Sequence, residues 1–404
     1  MISVTMGGKS RKRPSTDIPD CKYGLDCYQK NPQHRKKFRH PESVTEQKNA
    51  NPESVTELKN ANPESVSEQK NNLTPEKEIS DFQNNTETTE SQEKISSEAK
   101  FAETVGEVLK SMPADFFEFW NFCKTINELK PEDAFSELGL QLTGIYDILS
   151  KQLSKTKKVV LHCHYRYYYD PPEFQTVITS SDKDLYHIGY FRDEPDKHPS
   201  VLVSNSAASG PKLTLKGDNI FAAMNTELTG RLKKLKQTAL RNKFSKTQEN
   251  LQKYAKGKKY SLEISTAKTK ARSKKVNSKT FNDFGIVVPV ANDVGYRPLP
   301  DSNATVKSVL KRIVSAEDEN KRLEMEESLD ELITNVQFAN DECDFGMGLE
   351  LGIDLFAFGD PYFHSHILSI LPLAYKLLNR PKYAEVVEFH LRNRKKSGDL
   401  NALD

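Results

Sequence analysis

The feature that most limits what this chain can fold into is an eleven-residue repeat that cannot build a core. It runs Pro41-Glu-Ser-Val-Thr-Glu-Gln-Lys-Asn-Ala-Asn51 and starts again at Pro52 and at Pro63. Each copy carries one Val and no apolar stripe. Stacking the copies as a solenoid would bury almost nothing against the entropy of ordering them. Residues 71–98, rich in Asn, Thr, Glu and Ser, continue in the same character. Residues 42–99 are therefore expected to be a disordered linker between a small N-terminal segment and a large folded body. Composition agrees, since 36% hydrophobic residues and a mean hydropathy of −0.69 are low for a chain folded throughout. No apolar run approaches membrane-spanning length and no secretory h-region follows Met1, so no membrane partner is expected. The five cysteines form no disulfide framework and fit a reducing compartment.

Residues 1–16 form a basic tail ending in Lys9-Ser-Arg-Lys-Arg-Pro14, the kind of cluster read as nuclear import or nucleic-acid contact. In residues 17–41, Cys21, Cys27, His34 and His40 follow the spacing C-x5-C-x6-H-x5-H. Two thiols and two imidazoles are enough for a closed tetrahedral Zn²⁺ site, and metal binding would supply the folding free energy of so short a segment. Tyr23, Tyr28 and Phe38 alternate with Lys22, Lys30, Arg35, Lys36, Lys37 and Arg39, placing aromatic faces for bases beside cations for phosphates. With Tyr-Gly after the first Cys, Tyr-x-Lys-Asn-Pro after the second and a closing Phe-x-His-Pro, the segment resembles a poly(ADP-ribose)-binding zinc finger. The resemblance implies that Tyr23 and Tyr28 contact adenine. Gln29 stands where such fingers usually carry a basic residue.

Order is expected again from about residue 100. The spacing predicts a helix over 102–109, and another over 112–123 with aromatics, including Trp120, on its core face. Strands are expected over 159–164, within 165–178, over 185–191, over 200–203 and over 284–290, with a helix entered from Gly217. A basic helical connector is read over 228–259. His162, His164 and His187 are taken as core or surface histidines rather than metal ligands. Further helices are expected over 306–314, around 364–379 and around 383–394.

The most unusual stretch is Phe338-Ala-Asn-Asp-Glu-Cys-Asp-Phe-Gly-Met-Gly-Leu-Glu-Leu-Gly352. Met325, Leu329, Leu332, Ile333, Val336 and Ala339 recur at helical spacing, so a helix with one buried face runs into it. Asp341, Glu342 and Asp344 then crowd together, and Gly346, Gly348 and Gly352 are expected to stop the helix and free the backbone. Carboxylates so close raise one another's pKa, which suits a general base working near neutral pH. The plainer reading is an acidic helix end followed by a loop.

Several stretches of the body together resemble the histone PARylation factor family, over roughly residues 100–400. They are Pro113-Ala-Asp-Phe…Phe-Trp120, Leu138-Gly-Leu-Gln-Leu…Tyr-Asp147, Tyr168-Tyr-Asp-Pro-Pro-Glu-Phe-Gln175, His187-Ile-Gly-Tyr-Phe-Arg-Asp193, Asn292-Asp-Val-Gly-Tyr-Arg297 and Phe338–Gly352. The finger and repeats resemble an accessory N-terminal module of some invertebrate members. The resemblance implies a factor that is not a stand-alone enzyme. It would dock on the catalytic domain of a DNA-damage-activated poly(ADP-ribose) polymerase, which binds the NAD, and complete its active site for serine modification of histones while limiting chain elongation. It also implies Glu342 as general base, Arg297 and Tyr296 as residues orienting it, and Asp341 with Asp344 as partner-binding acids. Phe345 stands where the family often has Tyr. The implied location is the nucleus, on chromosomes at damage sites.

The net charge of +2 conceals segregation: residues 231–280 hold 17 Lys/Arg against two acids, while 313–360 hold 14 Asp/Glu against two bases. The basic stretch is a candidate for DNA or nucleosome contact. The expected fold is α+β: a mixed α/β N-terminal lobe over 100–245 and a mainly helical C-terminal lobe with short strands over 246–404. Two rival functions remain at this level, a poly(ADP-ribose)- and histone-binding adaptor without a catalytic residue, and an independent hydrolase using Asp341, Glu342 and Asp344.

Overall fold

The computed structural model describes residues 103–153 and 163–400, together with the single position Arg39. The finger ligands Cys21, Cys27, His34 and His40, the aromatics Tyr23 and Tyr28, and the repeats all lie outside the described residues, as does His162. The described residues from 103 to 400 form one compact unit of mixed α/β structure.

Its first part is organised by aromatic residues. Helix α1 (103–110) leads through Pro113 into α2 (Ala114–Ile126), where Phe116, Phe119, Trp120 and Phe122 recur on one face and are all buried. Tyr146, on the single-turn helix α3 (Tyr146–Leu149), stacks on Phe116 with ring centroids 4.1 Å apart, and Phe119 stacks on Phe135. This cluster covers one face of a five-stranded antiparallel sheet of order β1-β3-β4-β5-β6. The strands are β1 (Leu140–Leu142), β3 (Phe174–Ser180), β4 (Tyr186–Phe191), β5 (Val201–Ser206) and β6 (Thr214–Gly217). A short pair, β2 (Arg166–Tyr167) with β7 (Asp399–Leu400), ties the end of the described chain back to its middle.

Period-2 alternation decides which residue meets which core. Ile188, Tyr190 and Leu202 face the aromatic cluster, whereas Phe191, Val201 and Val203 turn to the opposite face with Phe174 and Leu213. Helices α4 (Ile220–Lys234) and α5 (Thr238–Gly257) close over the first face through Phe221, Met224, Leu228, Phe244, Leu251 and Ala255. The stretch read as a connector is therefore core-forming. The boundary placed between 245 and 246 falls inside α5, whose buried residues Leu251 and Ala255 still belong to the first core.

Beyond α6 (Ala267–Ser273) the chain is helical: α7 (Asn303–Val314), α8 (Glu319–Asp341), α9 (Gly346–Phe358), α10 (His364–Leu377) and α11 (Pro381–Asn393). The strand expected over 284–290 does not form. Only a bridge between Ser278 and Ile286 is made, because Gly285 has φ 79° and Pro289 has no N–H to offer a ladder. The described end of the segment expected as a strand over 159–164, residues 163–164, is turn-like.

The larger correction concerns Gly346, Gly348 and Gly352, which lie inside α9 instead of ending a helix. All residues from Gly346 to Ala357 are buried. A glycine costs a helix about 1 kcal/mol relative to Ala, and this burial outweighs it. Gly352 also buys close approach: a Cβ there would lie 2.9 Å from the Cβ of Leu371 on α10.

His164 and His187 are core residues, each held by a buried acid: His164 Nε2 lies 2.7 Å from Asp147 and His187 Nε2 2.9 Å from Asp170. Both histidines are buried, and among the described residues no cluster of metal-ligating side chains occurs.

Candidate active site

The acidic helix ends in a tight corner. Leu329, Leu332, Val336 and Ala339 bury one face of α8 as expected, and the helix closes in a Schellman turn. The Cys343 N–H bonds to the Asn340 carbonyl at 3.1 Å, and the Asp344 N–H reaches back to the Ala339 carbonyl at 2.8 Å. Such a turn needs a left-handed residue at its centre, usually glycine; here it is Cys343, with φ 67°. Three residues later, at Gly346, α9 begins. Glu342 is thereby fixed at the C-cap of α8, on an outside corner, with its side chain 55% exposed.

A carboxylate at a helix C-terminus faces the negative end of the dipole and needs a compensating cation. Arg297 supplies it: its Nη2 donates to Glu342 Oε2 and lies 3.0 Å from Asp344 Oδ2. Hydrogen bonding to Glu342 holds the guanidinium above its ordinary pKa. Arg297 comes from the loop after residue 290, which turns at Asn292 and Asp293, both at positive φ, with Ala291 and Val294 bridged across them. The loop is locked to the corner at three points. The Gly295 N–H donates to Asp344 Oδ1 at 2.9 Å, the Gly346 N–H donates to the Gly295 carbonyl at 2.9 Å, and the Tyr296 ring packs on Gly346. Gly295 itself must be glycine, because its φ is 127° and a Cβ would lie 2.2 Å from the Pro289 carbonyl oxygen.

The expected site residues therefore divide. Glu342, Arg297 and Asp344 meet in one ion-pair network. Asp341 stands beside them, exposed and without an ion pair among the described residues. Asp344 does not fit the partner-binding assignment: it is 6% exposed and both its oxygens are engaged inside the fold. It positions the Arg297 loop. Tyr296 is also displaced from its expected role, since its hydroxyl donates to Glu350 Oε2 at 2.9 Å, and burial pushes the phenol well up. It can act on Glu342 only through the backbone it anchors. Nor do the three acids crowd against one another as expected; a guanidinium lies between two of them. The residues missed from sequence are Gly295, Gly346 and Cys343, whose contribution is backbone geometry. The one available signal was the Asn-Asp-Val-Gly run, which reads as a tight turn.

The arrangement is an ionisable oxygen on a rigid, solvent-facing corner, with a cation that fixes its direction. Among the described residues it joins one exposed carboxylate, one buried carboxylate and one guanidinium.

The sequence pattern of the family described as Histone PARylation factor 1 matches residues 68–394, and that of the PBZ domain matches residues 19–43. Histone PARylation factor 1 of Mus musculus is 48% identical over 292 residues, covering 70% of this chain and 84% of the relative. The Danio rerio protein of the same name is 46% identical over 286 residues (70% and 82%), and that of Bos taurus 44% identical over 288 residues (70% and 83%). With a family match across most of its length and such relatives, this chain belongs to the histone PARylation factor 1 family.

Proposed function

We propose that this protein lends Glu342 to the active site of a DNA-damage-activated poly(ADP-ribose) polymerase and so directs ADP-ribose onto serine. A serine hydroxyl is a poor nucleophile at neutral pH and needs a positioned base, a contribution typically worth ~10²–10⁴ in rate. The polymerase binds NAD; the serine hydroxyl oxygen attacks the ribose carbon as its bond to nicotinamide breaks and nicotinamide leaves, and Glu342 accepts the serine proton. Arg297 orients the carboxylate, and Asp341 meets a basic group of the polymerase. Docking over this corner covers the route by which a growing chain would enter, which limits elongation. Histones are the acceptors, and the site of action is nuclear chromatin.

The observation that carries the reading is the placement of Glu342: exposed at a rigid corner and held by Arg297, whose guanidinium is anchored in turn by the buried Asp344. An acid so presented acts only when another molecule completes the site. The family name and the PBZ-domain match support a poly(ADP-ribose) polymerase as the partner. In the finger, the donor set Cys21, Cys27, His34 and His40 suits tetrahedral Zn²⁺, which would hold Tyr23 and Tyr28 for the polymer product. The basic stretch 231–280 contributes contact with DNA or the nucleosome.

The test is mass-spectrometric mapping of acceptors on a histone peptide with polymerase alone, with this protein added, and with Glu342→Gln added. Serine modification should appear only with the unaltered protein, while the variant still co-elutes with the polymerase. Unchanged serine modification by the variant would leave only the adaptor role.

A further inference from the structure

Helix α9 is made of apolar residues and glycine except at Glu350 and Asp354. Both acids are buried, at 4% and 0% exposure. Taking a carboxylate out of water is costly, and Leu at either position would have completed an apolar helix. A local rule broken in the core is expected where function needs it broken.

The two acids lie one turn apart, and Gly346 lies one turn before them, so the three share one face of α9. Each holds the segment that carries Arg297. The Gly346 N–H donates to the Gly295 carbonyl at 2.9 Å, Glu350 Oε2 accepts the Tyr296 hydroxyl at 2.9 Å, and Asp354 Oδ1 accepts the Phe281 N–H at 2.7 Å. The last of these contacts before the arginine is made by Tyr296, its neighbour in the chain. Arg297 itself is 44% exposed, and the acids it meets, Glu342 and Asp344, belong to the corner and not to its own loop. Where the guanidinium points therefore depends on where α9 holds that loop.

We propose that Glu350 and Asp354 are positioning residues for the Arg297–Glu342 pair, setting from inside α9 the place of the Arg297 loop on the corner. The effect on the loop stands by itself; its consequence for serine modification rests on the reading above.

Asp354 makes this hold sensitive to protons. Its Oδ2 has no partner, and the titratable groups that face it are Glu350 on its own helix, Tyr296 on the loop and Lys307 on α7. The Lys307 ammonium lies 5.6 Å from the ring centre of Phe281, the residue whose N–H Asp354 accepts. Burial keeps the Asp354 carboxyl neutral up to about pH 8. Above that it ionises one turn from a second buried acid, and like charges so close repel. The loop is then held less firmly.

The experiment compares Glu350→Gln, Glu350→Leu and Asp354→Asn in the full chain. Gln keeps an acceptor for the Tyr296 hydroxyl, Leu fills similar space without one, and Asn fixes position 354 in an uncharged form. Without polymerase, hydrogen exchange over 291–297 and the NMR signals of the Arg297 guanidinium report the loop, and thermal melts report folding. Glu350→Leu should speed exchange over 291–297 about tenfold, the loss of one buried hydrogen bond, and average the guanidinium signals, with 325–339 unchanged. Glu350→Gln should restore both. In the unaltered protein, exchange over 291–297 should quicken above pH 8 beyond its intrinsic rise, and in Asp354→Asn it should not. This arm stands even where Glu350→Leu fails to fold. With saturating polymerase, Glu350→Leu should lower the rate of serine modification by roughly ten- to a hundredfold, the cost of a misplaced group. Asp354→Asn should match the unaltered protein at pH 7 and exceed it at pH 9. Three results overturn the proposal: unchanged loop exchange in a folded Glu350→Leu, equal losses in the Gln and Leu variants, or the same pH dependence of loop exchange with and without Asp354. A loosened loop with serine modification intact, in Glu350→Leu and in Glu342→Gln alike, would instead sink the catalytic reading and leave the positioning role standing.

Discussion

Glu342 at the end of α8 and Asp354 within α9 are carboxylates of neighbouring helices, and the fold treats them in opposite ways. Glu342 is more than half exposed and paired with Arg297, so its charge is solvated and compensated. Asp354 is fully buried; its Oδ1 accepts the Phe281 N–H at 2.7 Å and its Oδ2 has no partner. Burial pushes its pKa up to about 8, so near neutrality the folded protein holds it largely as the neutral acid. The difference shows how exposure separates two uses of one functional group. A compensated acid at the surface stays available for chemistry with a partner, while an uncompensated acid in the interior becomes a proton store coupled to stability.

That contrast can be broken at four points, from the largest effect to the smallest. Glu342→Gln should cut polymerase-dependent serine modification by ~10²–10⁴, the typical worth of a positioned base, and leave the melting temperature within about a degree. A large loss of stability would place Glu342 with the structural acids instead. Asp354→Asn should act the other way. Unfolded Asp releases its proton near pH 4 and the folded protein retains it to about 8, so stability falls as pH rises through that window. Urea titrations from pH 4 to 8 should show the decline in the unaltered protein, roughly 3–5 kcal/mol, and a flatter profile in the variant, with serine modification retained.

Gly352→Ala should cost about 1–2 kcal/mol, because the added methyl meets Leu371 and the helix-propensity gain recovers only part of the strain. A neutral or stabilising result would mean that α9 and α10 can separate freely. The smallest effect is expected for Arg297→Gln on stability, about 1 kcal/mol: its exposed pair with Glu342 contributes little, and the buried Asp344 that it also holds keeps the Gly295 N–H. Its effect on serine modification should be clearly larger than that, because direction rather than stability is what the arginine supplies.

Much of this molecule was legible in one dimension. The aromatic face of α2 and the apolar spacing of α8 are periodic signals, and both helices formed with those residues turned to the core; β4 and β5 were legible as strands, without the faces they present. The acids of the corner were legible as a cluster. Their roles were not: Asp344 and Tyr296 turned inward, since which side of a turn a residue faces depends on what packs behind it. β1 and β6 were missed because three- and four-residue strands carry too few alternations to register. Gly346, Gly348 and Gly352 misled because glycine weakens an isolated helix, while in a buried one it admits a neighbour.

Taken alone, the sequence set the expectation of where the chain is ordered, because a repeat with one valine per eleven residues has too little apolar surface to bury. It also determined the local periods, which depend only on 3.6 and 2 residues per repeat, and the candidate ligands of the finger. Tertiary structure decided that the glycine run is a buried helix, and that Arg297 reaches across from a distant loop to Glu342. Each of these depends on contacts between residues far apart in the chain, and the free energy of such contacts is written in no single segment.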